Sequence, residues 1–156
     1  MDLADADYAN LATTRRLLRG YLAFSERAAE ATGLEPRQYQ ALLMLRGLTA
    51  SGVASVSDIA DWLQIRHHSA VGLVDRMQAR ALVRREPDPG DGRRVLVRLT
   101  SGGRSILASL AVLHRDELRR VEPDLLRALH AVTAPTNPVA SEREDSRVWP
   151  PPPPTC

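Results

Sequence analysis

The chain has 156 residues, 44% hydrophobic and 26% charged, with a formal net charge of +2, which suits one soluble domain with a real core. No apolar run approaches the roughly 18 residues that span a bilayer, and Asp2 and Asp5 stand where a signal peptide would carry basic residues, so no membrane partner and a cytoplasmic location are expected. The single cysteine, Cys156, excludes an intrachain disulfide framework and a paired-cysteine metal site.

From about residue 7 to 31 the pattern is one long helix. Leu11, Leu18 and Leu22, with neighbouring alanines, make an apolar stripe, and Arg15, Arg19 and Arg27 lie off it. Gly33 ends this helix. Pro36 suits the first turn of a second helix running to about residue 48, with Tyr39, Leu42, Leu43 and Leu45 as its apolar residues. A loop with Thr49, Ser51 and Gly52 follows. Ser55 and Asp58 then fit a capping box, and Val56, Ile59, Ala60 and Leu63 fall on one face of a short helix. A further helix, from about 67 to 80, has Ala70, Val71, Val74 and Met77 as its apolar face. His68, Ser69, Gly72, Asp75 and Arg76 lie largely off that face.

Residues 82–100 change period. Val95, Val97 and Leu99 alternate with Leu96 and Arg98, and β-branched residues favour an extended chain. Pro87, Pro89, Gly90 and Gly92 break any helix between the arms and supply turns. The result is a two-stranded hairpin with Arg93 and Arg94 near its tip, a cationic finger suited to the negative potential of a DNA minor groove. Thr100 reads as the N-cap of a helix through Ile106, Leu107, Leu110, Leu113 and Leu118, and a short last helix is expected from about 123 to 132. Residues 134–156 hold Pro135, Pro138 and the run Pro150 to Pro154, so a disordered or polyproline tail is expected there.

Charge follows the same division. Residues 66–104 hold nine arginines against four acids, a local +5, while residues 1–65 carry −2 and residues 105–156 carry −1. No lysine occurs anywhere, and arginine suits both phosphate forks and minor-groove insertion. Two short helices joined by a turn and followed by a basic hairpin are the parts of a winged helix-turn-helix, in which the second helix enters the major groove.

The motifs carry a family likeness. Leu73-Val74-Asp75-Arg76, Ala81-Leu82-Val83-Arg84-Arg85, Asp91-Gly92-Arg93 and Leu99-Thr100-Ser101-Gly102-Gly103, with Gly33-Leu34 and residues 38–45 upstream, resemble the multiple-antibiotic-resistance regulator (MarR) family of bacterial transcription factors over about residues 8–133. Two departures stand out. Ala81 replaces a usual glycine at a helix end, and Gly92 replaces a usual basic residue at the wing tip. The resemblance implies a mainly α (α+β) fold: a winged helix-turn-helix over 35–100 with a two-stranded wing, and dimerisation helices over 1–34 and 101–133. It implies double-stranded DNA as partner, a homodimer on an inverted-repeat operator, and a small aromatic or phenolic effector. The terminal helices offer Leu11, Leu18 and Leu22 at one end and Leu110, Leu113, Leu118, Leu125 and Leu126 at the other as dimer surface.

The candidate recognition-helix residues are His67, His68, Ser69, Gly72 and Arg76. Ser and His can both give and take hydrogen bonds at base edges; the alternative is contact with phosphate or water alone. Arg76 resembles a family arginine near the DNA backbone, against the alternative of an intramolecular ion pair. In the wing the candidates are Arg84, Arg85, Asp91, Arg93 and Arg94. Adjacent side chains on a strand point to opposite faces, so each arginine pair divides its tasks; Asp91, an anion, would hold an arginine or cap the turn. The likeness further suggests Arg16, Tyr21, Phe24, Tyr39 and His114 as an effector pocket, against their being ordinary core or dimer residues. The four histidines lack ligand spacing for a metal, and no nucleophile-base set or phosphate-binding glycine loop is present, so neither cofactor nor catalysis is expected. The remaining alternative is a winged-helix module that binds protein without sequence-specific DNA binding.

Overall fold

The computed structural model describes residues 3–47, 52–91 and 94–133. In chain order they form α1 (Asp5–Ala31), α2 (Pro36–Gly47), β1 (Val53–Ser55), α3 (Val56–Leu63), α4 (His67–Ala79), β2 (Val83–Pro87), β3 (Val95–Leu99) and α5 (Ser101–Thr133). Helices predominate, and one small antiparallel sheet with strand order β1-β3-β2 forms the wing and its base.

Three of the helices stop by one device. At each end the chain makes a left-handed residue whose N–H and the next N–H bond back to the last turn. Gly33 and Leu34 donate to Glu30 and Ala29 after α1, Gln64 and Ile65 to Asp61 and Ala60 after α3, and Ala81 and Leu82 to Gln78 and Met77 after α4. The φ values are +76° at Gly33, +54° at Gln64 and +53° at Ala81. The family glycine is therefore absent at residue 81, yet its backbone conformation is kept by an alanine. Leu82 is buried against the core that also holds Met77, and this apolar contact secures the turn.

The expected two-stranded wing is the β2–β3 hairpin; two features were not expected. First, β1 joins the sheet as a third strand: Val53, Ala54 and Ser55 pair with Arg98, Val97 and Leu96 of β3. Three residues are too few to show an alternating pattern, and their partner lies some forty residues downstream. In the second case, a single helix, α5, runs through Pro123 where two helices were expected. Proline removes one helical hydrogen bond and crowds the carbonyl four residues back. Here that carbonyl belongs to exposed Arg119, open to water. Val121 and Ala128, on either side of the proline, are both buried and hold the helix in register.

Helix α2 runs through the middle of the winged domain. Leu42 and Leu45 pack with Leu34, Ile59, Leu73, Met77, Val83, Val97, Leu99, Leu107 and Leu110 in one continuous core. Within the expected apolar faces, Leu43 is exposed and Gln38 is buried instead; on α4, Leu73 takes the inward place expected of Val71, which is half-buried. Gly103 fixes how close α5 comes to the start of β2, since a Cβ there would lie 2.1 Å from the Leu82 carbonyl oxygen. The Thr100 hydroxyl accepts from the Gly103 amide at 3.0 Å and reaches the carbonyls of Ala81 and Leu82, the expected N-cap tied into the α4 turn.

Helices α1 and α5 lie along one another and extend from this domain. Their outer surfaces keep Tyr8, Leu11, Leu18 and Leu22 on α1 and Val112, Leu113, Leu118, Leu126 and Leu129 on α5 exposed, whereas Leu110, expected among them, is fully buried. Among the described residues no helix is long and apolar enough to cross a membrane.

Candidate nucleic-acid interface

The turn after α3 aims α4. Arg66 is its N-cap residue in extended conformation, and its carbonyl receives the amides of Ser69 and Ala70. His67 and His68 are exposed, and Ser69 and Gly72 are half-buried. His68, Gly72 and Arg76 are spaced by four, so they form one stripe along the helix. Arg66 itself is exposed at the head of α4 and has no carboxylate within ion-pair distance among the described residues. It was missed from the sequence, although its place just before the first helical residue could have flagged it.

The candidate arginines are held by acids. Arg76 Nε and Nη2 make a two-point fork on Glu35 at 2.8 and 2.9 Å, and Nη1 donates to the Gly72 carbonyl at 3.0 Å. Arg85 reaches from β2 to Asp75 of α4 at 2.6 Å and to Gln78 at 3.1 Å, which straps the wing to α4. Arg94 lies 3.3 Å from Asp58 and 3.4 Å from the Ser55 hydroxyl, at the start of α3. Arg84 and Arg98 share Glu86 on the sheet. These contacts hold the acids ionised. The Arg76 hydrogen bonds draw Glu35 below the ordinary carboxylate range, and the Ser55 amide and hydroxyl, followed by Arg94, do so for Asp58. Arg98 does the same for Glu86.

Helix and wing meet in an open cleft of about 600 Å³ lined by Ser57, Asp58, His67, Val71, Arg85 and Arg94. Its walls are the first turn of α3, the first turns of α4 and the inner side of the wing. At the wing end, the Asp91 carbonyl accepts the Arg94 amide at 2.8 Å, and the side chain that caps the Gly90 amide is Asp88. Arg93 and Gly92 lie outside the described residues, as do the tail at 134–156 and Cys156.

A second network joins α4 to the corner between α1 and α2. Gln38 is buried, its side-chain oxygen accepting from the Glu35 amide and from Arg80 at 3.2 Å and its amide donating to Glu35. Arg80 also donates to the Gly33 carbonyl. Glu35 and Gln38 were not singled out from the sequence. Their signal was the spacing of an acid before Pro36 and a glutamine three residues later, a helix-start pattern.

Four of the five proposed effector residues come together. His114 is buried between α1, α2 and α5, stacked on Tyr39 at a centroid distance of 4.2 Å, with the edges of Phe24 and Tyr21 at 5.8 and 6.4 Å. Its Nδ1 must carry a proton, since it lies 2.7 Å from the Leu110 carbonyl, a pure acceptor; Nε2 lies 2.8 Å from the Ser25 hydroxyl. Burial raises both phenols, Tyr39 to about 12, so both rings are neutral. Arg16 does not join them. It lines a separate groove between α1 and α5 with Asn10, Asp124 and Arg127. Among the described residues no cluster of His, Cys, Asp and Glu could hold a metal.

Known proteins resemble this chain in sequence and fold. The MarR family profile matches residues 32–94, from the end of α1 to the wing. The transcriptional activatory protein BadR of Rhodopseudomonas palustris is 36% identical over 85 residues, 54% of this chain and 49% of that protein. The HTH-type transcriptional repressor NicR of Pseudomonas putida is 30% identical over 96 residues, 62% of this chain and 59% of that protein. The matched stretch thus spans about half the length of these curated relatives. The crystal structure of AbsC, a MarR family transcriptional regulator from Streptomyces coelicolor, superposes with a TM-score of 0.69 over 86% of this chain and 94% of that one, at 24% identity.

Proposed function

The chain belongs to the MarR family, and from that premise we propose that it is a transcriptional regulator that binds an inverted-repeat operator as a homodimer. Members of this family are transcription regulators, not enzymes. The observation that carries the reading is the cleft shared by α4 and the wing, where His67 and Arg94 face the same space at the exposed edge of the +5 segment. A duplex lying across that edge would meet the first turn of α4 in its major groove and the wing at the adjacent backbone or minor groove. In this reading His67, His68 and Ser69 read base edges, Gly72 permits close approach, and Arg66 and Arg84 meet phosphates. Arg93 is the minor-groove residue. Arg85 and Arg94 position the wing through Asp75 and Asp58, and Asp91 shapes its turn.

The exposed leucines of α1 and α5 supply the dimer surface, because one protomer leaves them uncovered. A two-fold dimer sets two recognition helices about one DNA turn apart, hence the inverted repeat. Repression is the mode proposed, by occupying the promoter; NicR is named a repressor, and the name of BadR, an activatory protein, favours activation as the second reading. Release is assigned to a small aromatic or anionic effector. It would enter at His114 by displacing a ring among Tyr21, Phe24 and Tyr39, while Arg16 lines a separate groove.

The test is a titration of the gene's own upstream palindrome, and of a scrambled duplex, at several salt concentrations. Affinity for the palindrome is expected to fall steeply with salt. Arg66→Ala should weaken binding to both duplexes and make the salt slope shallower by about 1, while His68→Ala should mainly erode the preference for the palindrome. A flat salt response, or equal losses on both duplexes for His68→Ala, would count against the reading. Footprinting the operator relative to the promoter start separates repression from activation.

A further inference from the structure

Resting on the DNA-binding reading above, we propose that Glu35 acts as an intramolecular stand-in for a DNA phosphate, holding Arg76 off the duplex and so lowering the affinity of the protein for DNA. Arg76 lies on the same stripe of α4 as His68 and Gly72, the stripe assigned to the duplex. Its guanidinium folds back over that stripe: a Cβ built on Gly72 would lie 3.6 Å from Arg76 Nη1. There it places Nε and Nη2 on the two oxygens of Glu35. That is the same two-point fork a phosphate would accept. The pair is water-exposed, with side-chain accessibilities of 55% for Arg76 and 45% for Glu35, so a phosphate can reach the arginine and compete for it.

The carboxylate is not free to swing away. Glu35 is fixed at the start of α2, where its amide donates to Gln38 and the Gln38 amide donates back to its carboxylate. Arg80 braces the same corner through the Gly33 carbonyl and Gln38. A duplex that recruits Arg76 must therefore break the fork and leave an unpaired carboxylate beside its own backbone. Both consequences oppose binding, and both are removed by neutralising Glu35.

The experiment uses the full chain and a labelled duplex of mixed sequence, about 30 base pairs long, followed by fluorescence anisotropy from about 50 to 300 mM salt. Glu35→Gln keeps a side-chain oxygen for the Gln38 contact, so α2 retains its start. It is expected to bind about five- to tenfold tighter than the wild type at about 100 mM salt. The gain should vanish in Glu35→Gln with Arg76→Gln, which has the wild-type net charge. Glu35→Asp keeps the charge and a good helix cap but shortens the reach, and should fall between wild type and Glu35→Gln, which keeps the proposal testable if the glutamine variant folds poorly. Wild-type affinity in both single variants, or a double variant as tight as Glu35→Gln, overturns the proposal while leaving the DNA reading in place. A wild type that binds no duplex at about 50 mM salt overturns the reading and the proposal together.

Discussion

Ala81 carries a backbone conformation that its side chain resists. At φ +53° the Cβ of an L-residue crowds its own carbonyl, at a cost of about 1–2 kcal/mol. The turn persists because Leu82 and Met77 are buried together and two amides are satisfied. Ala81→Gly removes the crowding, at some cost in chain entropy, and is expected to stabilise the protein by about 1 kcal/mol. Gly103 is the opposite case. Its added Cβ would overlap the Leu82 carbonyl, so Gly103→Ala should destabilise by about 2–3 kcal/mol. Thermal melts of the two variants should move in opposite directions from the wild type.

At the scale of elements, the start of α3 is the joint between the sheet, the helix-turn-helix and the wing. Ser55 ends β1, caps α3 through the Asp58 amide at 3.2 Å, and shares Asp58 with Arg94. Ser55→Ala is expected to cost about 1 kcal/mol as a lost cap. It should also weaken the wing's anchorage, seen as faster amide exchange at the base of β3. The same acids set the acid limit of the fold. Asp58, Glu35 and Glu86 are all held below their ordinary values of 3.8 and 4.5 in the folded state. A depressed folded pKa gives stability that is present above the unfolded pKa and lost as pH falls through the folded one. The melting temperature should therefore be insensitive to these groups above about pH 5 and drop below it. Ser55→Ala should show a smaller drop, since Asp58 loses one of the bonds that depress it.

For the whole molecule, one protomer leaves the leucines of α1 and α5 exposed along its outer surface. Deleting residues 1–20 removes Leu11 and Leu18 and unpacks the far half of α5. It is expected to abolish the dimer and tight operator binding, because each half-site alone is weak. Deleting residues 134–156 should leave both intact, since every exposed leucine of this surface lies on α1 or α5 before that point. Sedimentation of the two truncations decides between outcomes: a stable, soluble monomer from the first, or dissociation of the second, contradicts the proposed assembly.

Local chemistry alone determined most of the helices. The Ser55–Asp58 box, the Thr100 cap and the Gly33 stop are contacts between residues at most five apart, so the chain could be read for them directly. The arginine-rich hairpin and its family motifs also announced the winged helix-turn-helix, because period, turn formers and charge are all carried by consecutive residues. Only the tertiary structure decided what was non-local. It added β1 to the sheet, carried α5 through Pro123, and replaced Leu43 with Gln38 in the core. It also decided which of the candidate arginines are engaged: Arg76 by Glu35, Arg85 by Asp75 and Arg94 by Asp58, while Arg66 has no acid partner among the described residues. Pairing across 41 residues, as between Glu35 and Arg76, leaves no periodic trace in a sequence, because it depends on how the elements pack and not on what each is made of.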